Sequence, residues 1–217
     1  MKLWLLAFVT LAAAASACAE SGSEFRLDFS NPGATPSHWS LVLHPDGNGH
    51  FHSERGTAPA QDPPAMEAPN VDRDVKVSEK FAGRVFENVH DGSLHKGDCE
   101  SHMKVAFQGW KKFTYSGPEG QWSCEFNYSR DKEIQDLGDS LLAVAGTILE
   151  GARLEMLLQH DRLGLDKEME FICDASADGR LSQLGAIRDI LSRLADDPDV
   201  LERVRKRAKM LLAKADK

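Results

Sequence analysis

A long apolar stripe between Asp131 and Leu163 constrains the fold of this 217-residue chain more than any other feature. Apolar side chains recur there at helical spacing, which predicts one long amphipathic helix with a wide buried face. That face comprises Ile134, Leu137, Leu141, Ala145, Ile148, Leu149, Ala152 and Met156. Acidic side chains lie on the opposite side, where we expect water to solvate them: Asp136, Asp139, Glu150 and Asp161. Other elements must cover such a stripe, so the rest of the chain should pack around it.

The C-terminal end of this helix is apolar nearly all round, because Leu154, Leu157 and Leu158 lie off the main stripe. We therefore expect more than one neighbour to bury that end. Gly164 is predicted to close the helix as a left-handed C-cap, with a short helix from Asp166 to Phe171 after it. A polar edge runs along the margin of the stripe and consists of Glu155, Gln159 and Arg162.

The order of the predicted elements indicates the fold class. Residues 20–128 read mainly as β-strands, with one helix after Ser78 and a proline-rich connection at 56–70. Residues 129–217 read as helices alone, the last of them starting at Asp197 and Pro198. Strands followed by helices predict an α+β fold, in which an antiparallel sheet of hairpins packs against the long helix and a helical subdomain follows. We expect one domain over residues 20–217.

A β-hairpin is predicted early in the chain around a Pro-Asp-Gly turn. With Gly47 at the centre of the turn, His44 faces His50 and Val42 faces His52. The core face then carries Trp39, Leu41, Leu43 and Phe51.

The same register gathers four imidazoles on the other face of the hairpin: His38, His44, His50 and His52. Imidazole nitrogens bind zinc, copper and nickel, and residues two apart on a strand share a face. One interpretation is therefore a site for zinc or another transition metal. The other is a solvated outer face that happens to contain histidine, because the cysteines or the His-x-x-x-His turn of a structural zinc site are missing.

A second hairpin is predicted before the long helix. Strand-like segments run from Met103 to Phe107, from Lys111 to Tyr115 and from Gln121 to Tyr128, with Gly109 as a bend between the first two. Because Cys99 and Cys124 flank this hairpin, we expect them to form a disulfide. Cys173 is left over and is expected to be a buried thiol, while three buried thiols are the alternative.

The first nineteen residues have the parts of a secretory signal peptide: a charged start, a short apolar run and a small-residue end. Ala17 and Ala19 both offer a signal-peptidase site. We expect export to the periplasm or the medium, a compartment in which disulfides form. Cys18 leaves lipoprotein anchoring open, although Ala15 stands where a lipobox usually has leucine. No membrane span is expected in the mature chain.

The net charge of −8 argues against a nucleic-acid binder, which needs a dominant basic surface. The last helix is nevertheless basic, through Arg203, Arg205, Lys206, Arg207 and Lys209. Cations near a helix C-terminus are favoured by the helix dipole alone. The functional alternative is a surface that docks an acidic envelope protein or anionic lipid head groups.

Catalytic candidates are sparse. Glu155 and His160 could form an acid–base pair, whereas the alternative places Glu155 in a hydrogen-bonded rim against a second element. A loop cluster of titratable residues is explained equally by turn composition and consists of His90, Asp91, His95, Asp98, Glu100 and His102. Nucleophile-elbow, zincin and phosphate-loop motifs are missing.

These observations favour an exported cell-envelope protein that acts as a non-enzymatic binding or interaction module. A metal-binding protein that uses the histidine hairpin and a hydrolase of unrecognised type are the alternatives. The ligand and the oligomeric state are left open by the sequence.

Overall fold

The computed structural model describes residues 22–54, 70–91 and 98–215. The predicted leader and nearly all of the predicted proline-rich connection lie outside these residues. The strands are β1 (Glu24–Ser30), β2 (His38–Leu43), β3 (Asn48–Glu54), β4 (Val71–Lys76), β5 (Trp110–Gly117) and β6 (Gly120–Phe126). The helices are α1 (Glu79–Asp91), α2 (Lys132–His160), α3 (Gly164–Ala177), α4 (Arg188–Asp196) and α5 (Glu202–Ala215), and a short 3₁₀ helix (Leu184–Ile187) precedes α4.

The six strands form one antiparallel sheet in the order β4-β3-β2-β1-β5-β6. Helix α1 carries the chain from the β4 edge back to β5, which pairs with β1. The later helices follow without further strands among the described residues. The predicted α+β fold, with an N-terminal sheet, a long helix and a C-terminal helical region, is thus confirmed.

Alternating side chains explain why these segments pair as strands. Phe25, Leu27 and Phe29 of β1 are buried, and they alternate with residues that are partly or fully exposed. In the next layer, Ser78 Oγ accepts a hydrogen bond from Phe81 N at 3.2 Å and so caps α1, as its sequence position predicted. Because buried and exposed side chains alternate along the strands, one face of the sheet is buried under helices and the other faces solvent.

Helix α2 belongs to two hydrophobic cores. Its first part, from Ile134 to Ala152, packs with the sheet and α1. Its last part, from Leu154 to Leu158, packs with α3, the 3₁₀ helix, α4 and α5. The all-round apolar end of this helix is therefore covered by several neighbours, as predicted from its sequence.

The predicted closure of α2 was wrong. The helix ends at His160 with Asp161 as its C-cap, and Gly164 begins α3 instead of closing α2. Gly164 N donates to Asp161 O at 3.1 Å, so the two helices are joined by a tight turn. Helix α3 also continues beyond Phe171 to Ala177. The buried residues of α3 recur at helical spacing and pack in the core that α5 shares, and this burial outweighs the local turn signal.

The predicted start of the last helix was also early. Asp197 is the C-cap of α4, and its Oδ1 accepts a hydrogen bond from Asp199 N at 2.9 Å. Helix α5 begins at Glu202. The Asp-Pro pair therefore forms a turn between the two helices, which suits its local chemistry equally well.

The register of the first hairpin differs by two residues from the prediction. Val42 faces His50 and Ser40 faces His52. His44 N donates to Asn48 O, while Gly47, at φ 81°, donates to His44 O. The connection is thus a three-residue loop with glycine in its left-handed position, instead of a turn centred on Gly47. A slip of two residues keeps every side chain on its face, so the predicted core face is confirmed.

The sulfur atoms of Cys99 and Cys124 lie 2.15 Å apart, at disulfide distance, as predicted. The chain between Cys99 and β5 departs from the prediction, because residues 103–107 form no strand. Strand β5 begins at Trp110, directly after Gly109. The alternation at 103–107 belongs to an irregular segment that does not join the sheet and in which Val105 N donates to Met103 O at 3.0 Å.

Two helix glycines give a matched test of this packing. A Cβ at Gly151 would meet Ile187 Cγ2 at 2.3 Å, whereas a Cβ at Gly83 would meet nothing within 4 Å. We expect Gly151→Ala to lower the free energy of unfolding by about 1 to 3 kcal/mol, and Gly83→Ala to raise it by up to about 1 kcal/mol. Urea unfolding checks both, and an unchanged or raised stability of Gly151→Ala would contradict the packing of α2 on the 3₁₀ helix.

Candidate functional site

The outer face of β3 and β4 carries part of the predicted histidine surface. His50 Nδ1 lies 2.9 Å from Asp74 Oδ1, and its Nε2 lies 3.2 Å from Asp72 Oδ1. His52 Nδ1 lies 3.0 Å from the other oxygen of Asp72. Cross-strand pairing places these groups opposite one another, since His50 faces Asp74 and His52 faces Asp72. The sequence reading did not connect these carboxylates to the histidines.

The other two predicted ligands lie at opposite ends of the hairpin, where His38 lines a pocket with His52. His38 faces Glu54 at the far end of the hairpin, and His44 lies beyond β2 with its Nδ1 3.4 Å from Ser23 O. The four imidazoles therefore do not converge. Within residues 22–54, 70–91 and 98–215 no group of three His, Cys, Asp or Glu side chains is arranged to hold a metal ion. The predicted four-histidine arrangement fails because the register is shifted by two residues, so that His44 pairs with Asn48 next to the loop and His50 faces Val42.

Glu155 makes a two-pronged ion pair that joins α2 to β4. Arg73 donates to its two carboxylate oxygens at 3.1 and 2.6 Å. His160 lies exposed at the end of α2. Five residues along a helix turn the side chains by roughly 140°, so the two candidates point to different sides. The structure thus assigns Glu155 to the hydrogen-bonded rim.

The described part of the loop cluster is an anchor. His90 and Asp91 lie in α1 without described side chains, and His95 lies outside the described residues. Glu100 accepts hydrogen bonds from Asn127 N at 2.6 Å and from His102 N at 3.1 Å. Burial raises the pKa of Glu100, but these bonds outweigh it and hold the pKa below its usual value.

Lys111 is a buried cation that the sequence reading did not single out. Its side chain is fully buried in β5, and Nζ donates to Asn127 O at 2.7 Å and to Gly109 O at 3.4 Å. Nζ also lies 5.2 Å from the centre of the Phe126 ring. Burial lowers the pKa of Lys111, and the charges of Asp139 and Glu100 oppose that shift. The lysine ties the start of β5 to the end of β6.

Next in the chain to these hydrogen-bonded residues lies an exposed apolar surface, which we call the apolar loop surface. Its members and their exposed fractions are Met103 at 47%, Val105 at 36%, Phe107 at 51% and Trp110 at 43%. The rings of Phe107 and Trp110 meet edge to face at 6.2 Å. An exposed apolar patch of about a few hundred Å² is among the largest that a soluble monomer usually carries, and such patches are often functional.

The segment that carries this surface is held at both ends. Ser101 N donates to Tyr128 O at 2.9 Å, next to the bridge from Cys99. At the other end, Gln108 N donates to Asn127 Oδ1 at 2.7 Å. Asn127 Nδ2 also donates to Ala106 O at 3.3 Å. The segment therefore has a defined position without being a helix or strand.

Gly109 fits this segment closely against the sheet. Its φ is 110°, which side chains rarely adopt, and a Cβ there would meet the Phe29 ring at 2.4 Å. The alternation of apolar and polar residues at 103–107 predicted a strand, but this period of two does not require the segment to pair with another strand. It does not show whether one face is covered.

The basic helix α5 uses several of its cations within the fold. Arg203 Nε and Arg207 Nη1 lie 2.6 and 2.7 Å from the same oxygen of Asp166 in α3. The hydrogen bond from Arg203 is the main reason that the pKa of Asp166 is lowered. Lys206 pairs with Glu202 at 2.8 Å, and Lys209 is exposed. Most of the predicted docking surface thus fastens α5 to its neighbours or to itself.

A pair of carboxyl groups lies between α2 and α3 in a pocket of about 360 Å³. Burial and the adjacent Glu168 raise the pKa of Glu150 to about 8. Glu168 also pairs with Arg153 at 3.3 Å, and Glu150 Oε2 is sealed from solvent without a hydrogen-bond partner in the described structure. The sequence reading placed Glu150 in water because the helical period cannot reveal that α3 folds back over it.

Cys173, which lies in α3, is unpaired and partly buried. Burial raises the pKa of its thiol, which disfavours the reactive thiolate. None of the helices in the described ranges combines the length and apolar character needed to cross a bilayer.

Comparison of the chain with protein-family models and with curated proteins finds no match.

The Glu150 carboxyl should make stability depend on pH. Its pKa is about 8 in the folded chain and 4.5 as the ordinary value, so the folded state holds a proton that the unfolded state loses. The contribution is complete below pH 4.5 and is lost as pH rises through 8. We expect Glu150→Gln to flatten this fall and to raise stability at alkaline pH by an amount on the order of 2 kcal/mol.

Chemical denaturation across this pH range provides the measurement, with the exposed Glu87→Gln on α1 as the control. A Glu150→Gln protein whose stability falls with pH as steeply as that of the wild type would contradict the buried pair.

Proposed function

We propose that this chain is an exported cell-envelope protein that acts as a non-enzymatic binding module through the apolar loop surface. The observation that carries the proposal is the exposure of Met103, Val105, Phe107 and Trp110 within eight residues of the chain, with the rings of Phe107 and Trp110 in contact. Water gains entropy when such side chains are covered, so this surface favours a bound partner.

The anchoring of the segment supports a binding role. A loop that must be ordered on binding loses conformational entropy, which weakens the complex. Here Asn127 holds the segment through both the oxygen and the nitrogen of its side-chain amide. The Cys99–Cys124 pair fixes the residues that precede the segment. The apolar side chains are therefore presented in place before any partner arrives.

The alternatives receive less support. Glu155 is engaged by Arg73, so its carboxylate is a poor candidate for the base of a hydrolase. Burial beside Glu168 raises the pKa of Glu150 to about 8, which disfavours an ionised base at neutral pH, and the described lining of their pocket contains no histidine, serine or cysteine. For metal binding, His52 lies two residues from His50 on β3 and lines a pocket with His38, but carboxylates of β4 already contact His50 and His52.

Export is part of the proposal and is supported by the charged, apolar and small-residue parts of the first nineteen residues. The sulfur atoms of Cys99 and Cys124 at bonding distance suit an oxidising compartment.

Retention of bacterial envelope fragments by the immobilised chain tests the binding role. We expect Phe107→Ser combined with Trp110→Ser to reduce retention at least about 10-fold, because both rings lose their apolar contact. The matched control is Phe171→Ser combined with Met210→Ser, which removes two side chains that are 41% and 61% exposed on α3 and α5.

All the replaced side chains are partly exposed, so the variants should unfold at nearly the wild-type temperature. Equal retention by the loop variant and the control variant would contradict the proposed function.

A further inference from the structure

The apolar loop surface belongs to a segment that is exposed along its whole length, because every residue from His102 to Gln108 is exposed. Sites for small ligands are usually concave and enclose the ligand. A segment that is exposed throughout suits a partner with an extended and deformable surface better than a small ligand.

The size of the exposed surface indicates whether its partner is a lipid bilayer or a protein. The exposed parts of its four side chains amount to roughly 300 Å². A stable protein partner, or a second copy of this chain, usually covers about 800 Å² on each side. Insertion into the interface of a bilayer requires only a few apolar side chains, and its strength scales with the buried apolar area.

The side chains also suit the boundary between lipid and water. Trp110 joins an apolar ring to a polar N–H, the combination that is enriched at membrane interfaces. Phe107 and Met103 are purely apolar and can lie deeper. Lys104 is exposed between them, and its long stem allows the ammonium group to stay among the head groups.

Charge decides which lipid the surface suits. The whole chain carries a net charge of −8, and Asp98 beside His102 is 70% exposed. Anionic lipids would be repelled by this field, because the exposed Lys104 and Lys112 are few cations against it. A bilayer with zwitterionic head groups carries no such penalty.

We propose that Met103, Val105, Phe107 and Trp110 insert into the interface of a zwitterionic lipid bilayer and hold the protein there reversibly. This inference rests on the proposed binding role of the same surface. The anchored segment needs no rearrangement, because its apolar side chains are already exposed and its two ends are fastened by Asn127 and Ser101.

Flotation of the full mature chain with vesicles tests the inference. The vesicles consist of phosphatidylcholine alone or of phosphatidylcholine mixed with phosphatidylglycerol. We expect binding to phosphatidylcholine that does not weaken at high salt, because apolar insertion is not screened by ions. Phe107→Ser combined with Trp110→Ser should lower the partition at least about 10-fold. The control pair at Phe171 and Met210 should leave it unchanged.

Tryptophan fluorescence supplies a second readout of the inserted residues. Lipids brominated in the acyl chains should quench Trp110, and Trp110→Phe should remove that quenching. Trp39 is 6% exposed inside the sheet core, so it should not respond. Quenching that survives Trp110→Phe would overturn the assignment of this loop as the inserted element.

The outcomes distinguish the two proposals. Loop-dependent retention of envelope protein, without binding to phosphatidylcholine vesicles, overturns the lipid inference and leaves the binding role standing. Failure to retain any envelope material and failure to bind vesicles overturn both. Binding to the anionic mixture alone overturns the zwitterionic assignment. Loop-dependent dimerisation without lipid shows a second copy as the occupant and overturns the inference.

Discussion

The structure depends on one helix that is buried by two different sets of neighbours. The first part of α2 packs on the sheet and α1, while its last turns pack on the C-terminal helices. Because one rigid rod takes part in both cores, neither core can separate without exposing apolar surface of α2. Two polar links reinforce the junction: Arg73 with Glu155, and the hydroxyl of Thr147, which lies 2.6 Å from Ser182 O.

A second constraint acts at the β5–β6 edge of the sheet, where polar groups fix the position of the exposed segment. Lys111 is a buried cation and Glu100 is a partly buried carboxylate, and both are hydrogen-bonded to the backbone of Asn127. Buried charges persist only when they are hydrogen-bonded. The same network that satisfies them also determines where the Asn127 amide lies. It thereby positions the chain that carries Phe107.

The sequence predicted which faces are buried more successfully than which residues are neighbours. The hairpin register was wrong by two residues, yet Leu41 and Phe51 lie in the core as predicted, because a period of two is unchanged by an even slip. The histidine arrangement depended on neighbours and therefore failed. Turn geometry decides the register, and the sequence Pro-Asp-Gly-Asn-Gly does not show whether the loop contains three residues or five.

The burial of Glu150 and the exposure of Met103 and Phe107 could not be predicted from local sequence patterns, because they also depend on which residues are neighbours. Glu150 is on the polar side of α2, and only the return of α3 buries it beside Glu168. Met103 and Phe107 alternate as they would in a strand, but no strand or helix in the described part of the chain buries them. Long-range packing decides both cases. By contrast, the pairing of Cys99 with Cys124 was predictable, since few cysteines were available and both flank one hairpin.

Amide hydrogen exchange along residues 102–108 tests most directly whether this exposed segment is the binding surface. The account predicts rapid exchange at Lys104 and Phe107 in the free protein, because both residues are exposed. Addition of envelope membranes should protect these amides and leave exchange around the exposed Leu163 unchanged. Protection that appears elsewhere while residues 102–108 exchange as before would contradict the account.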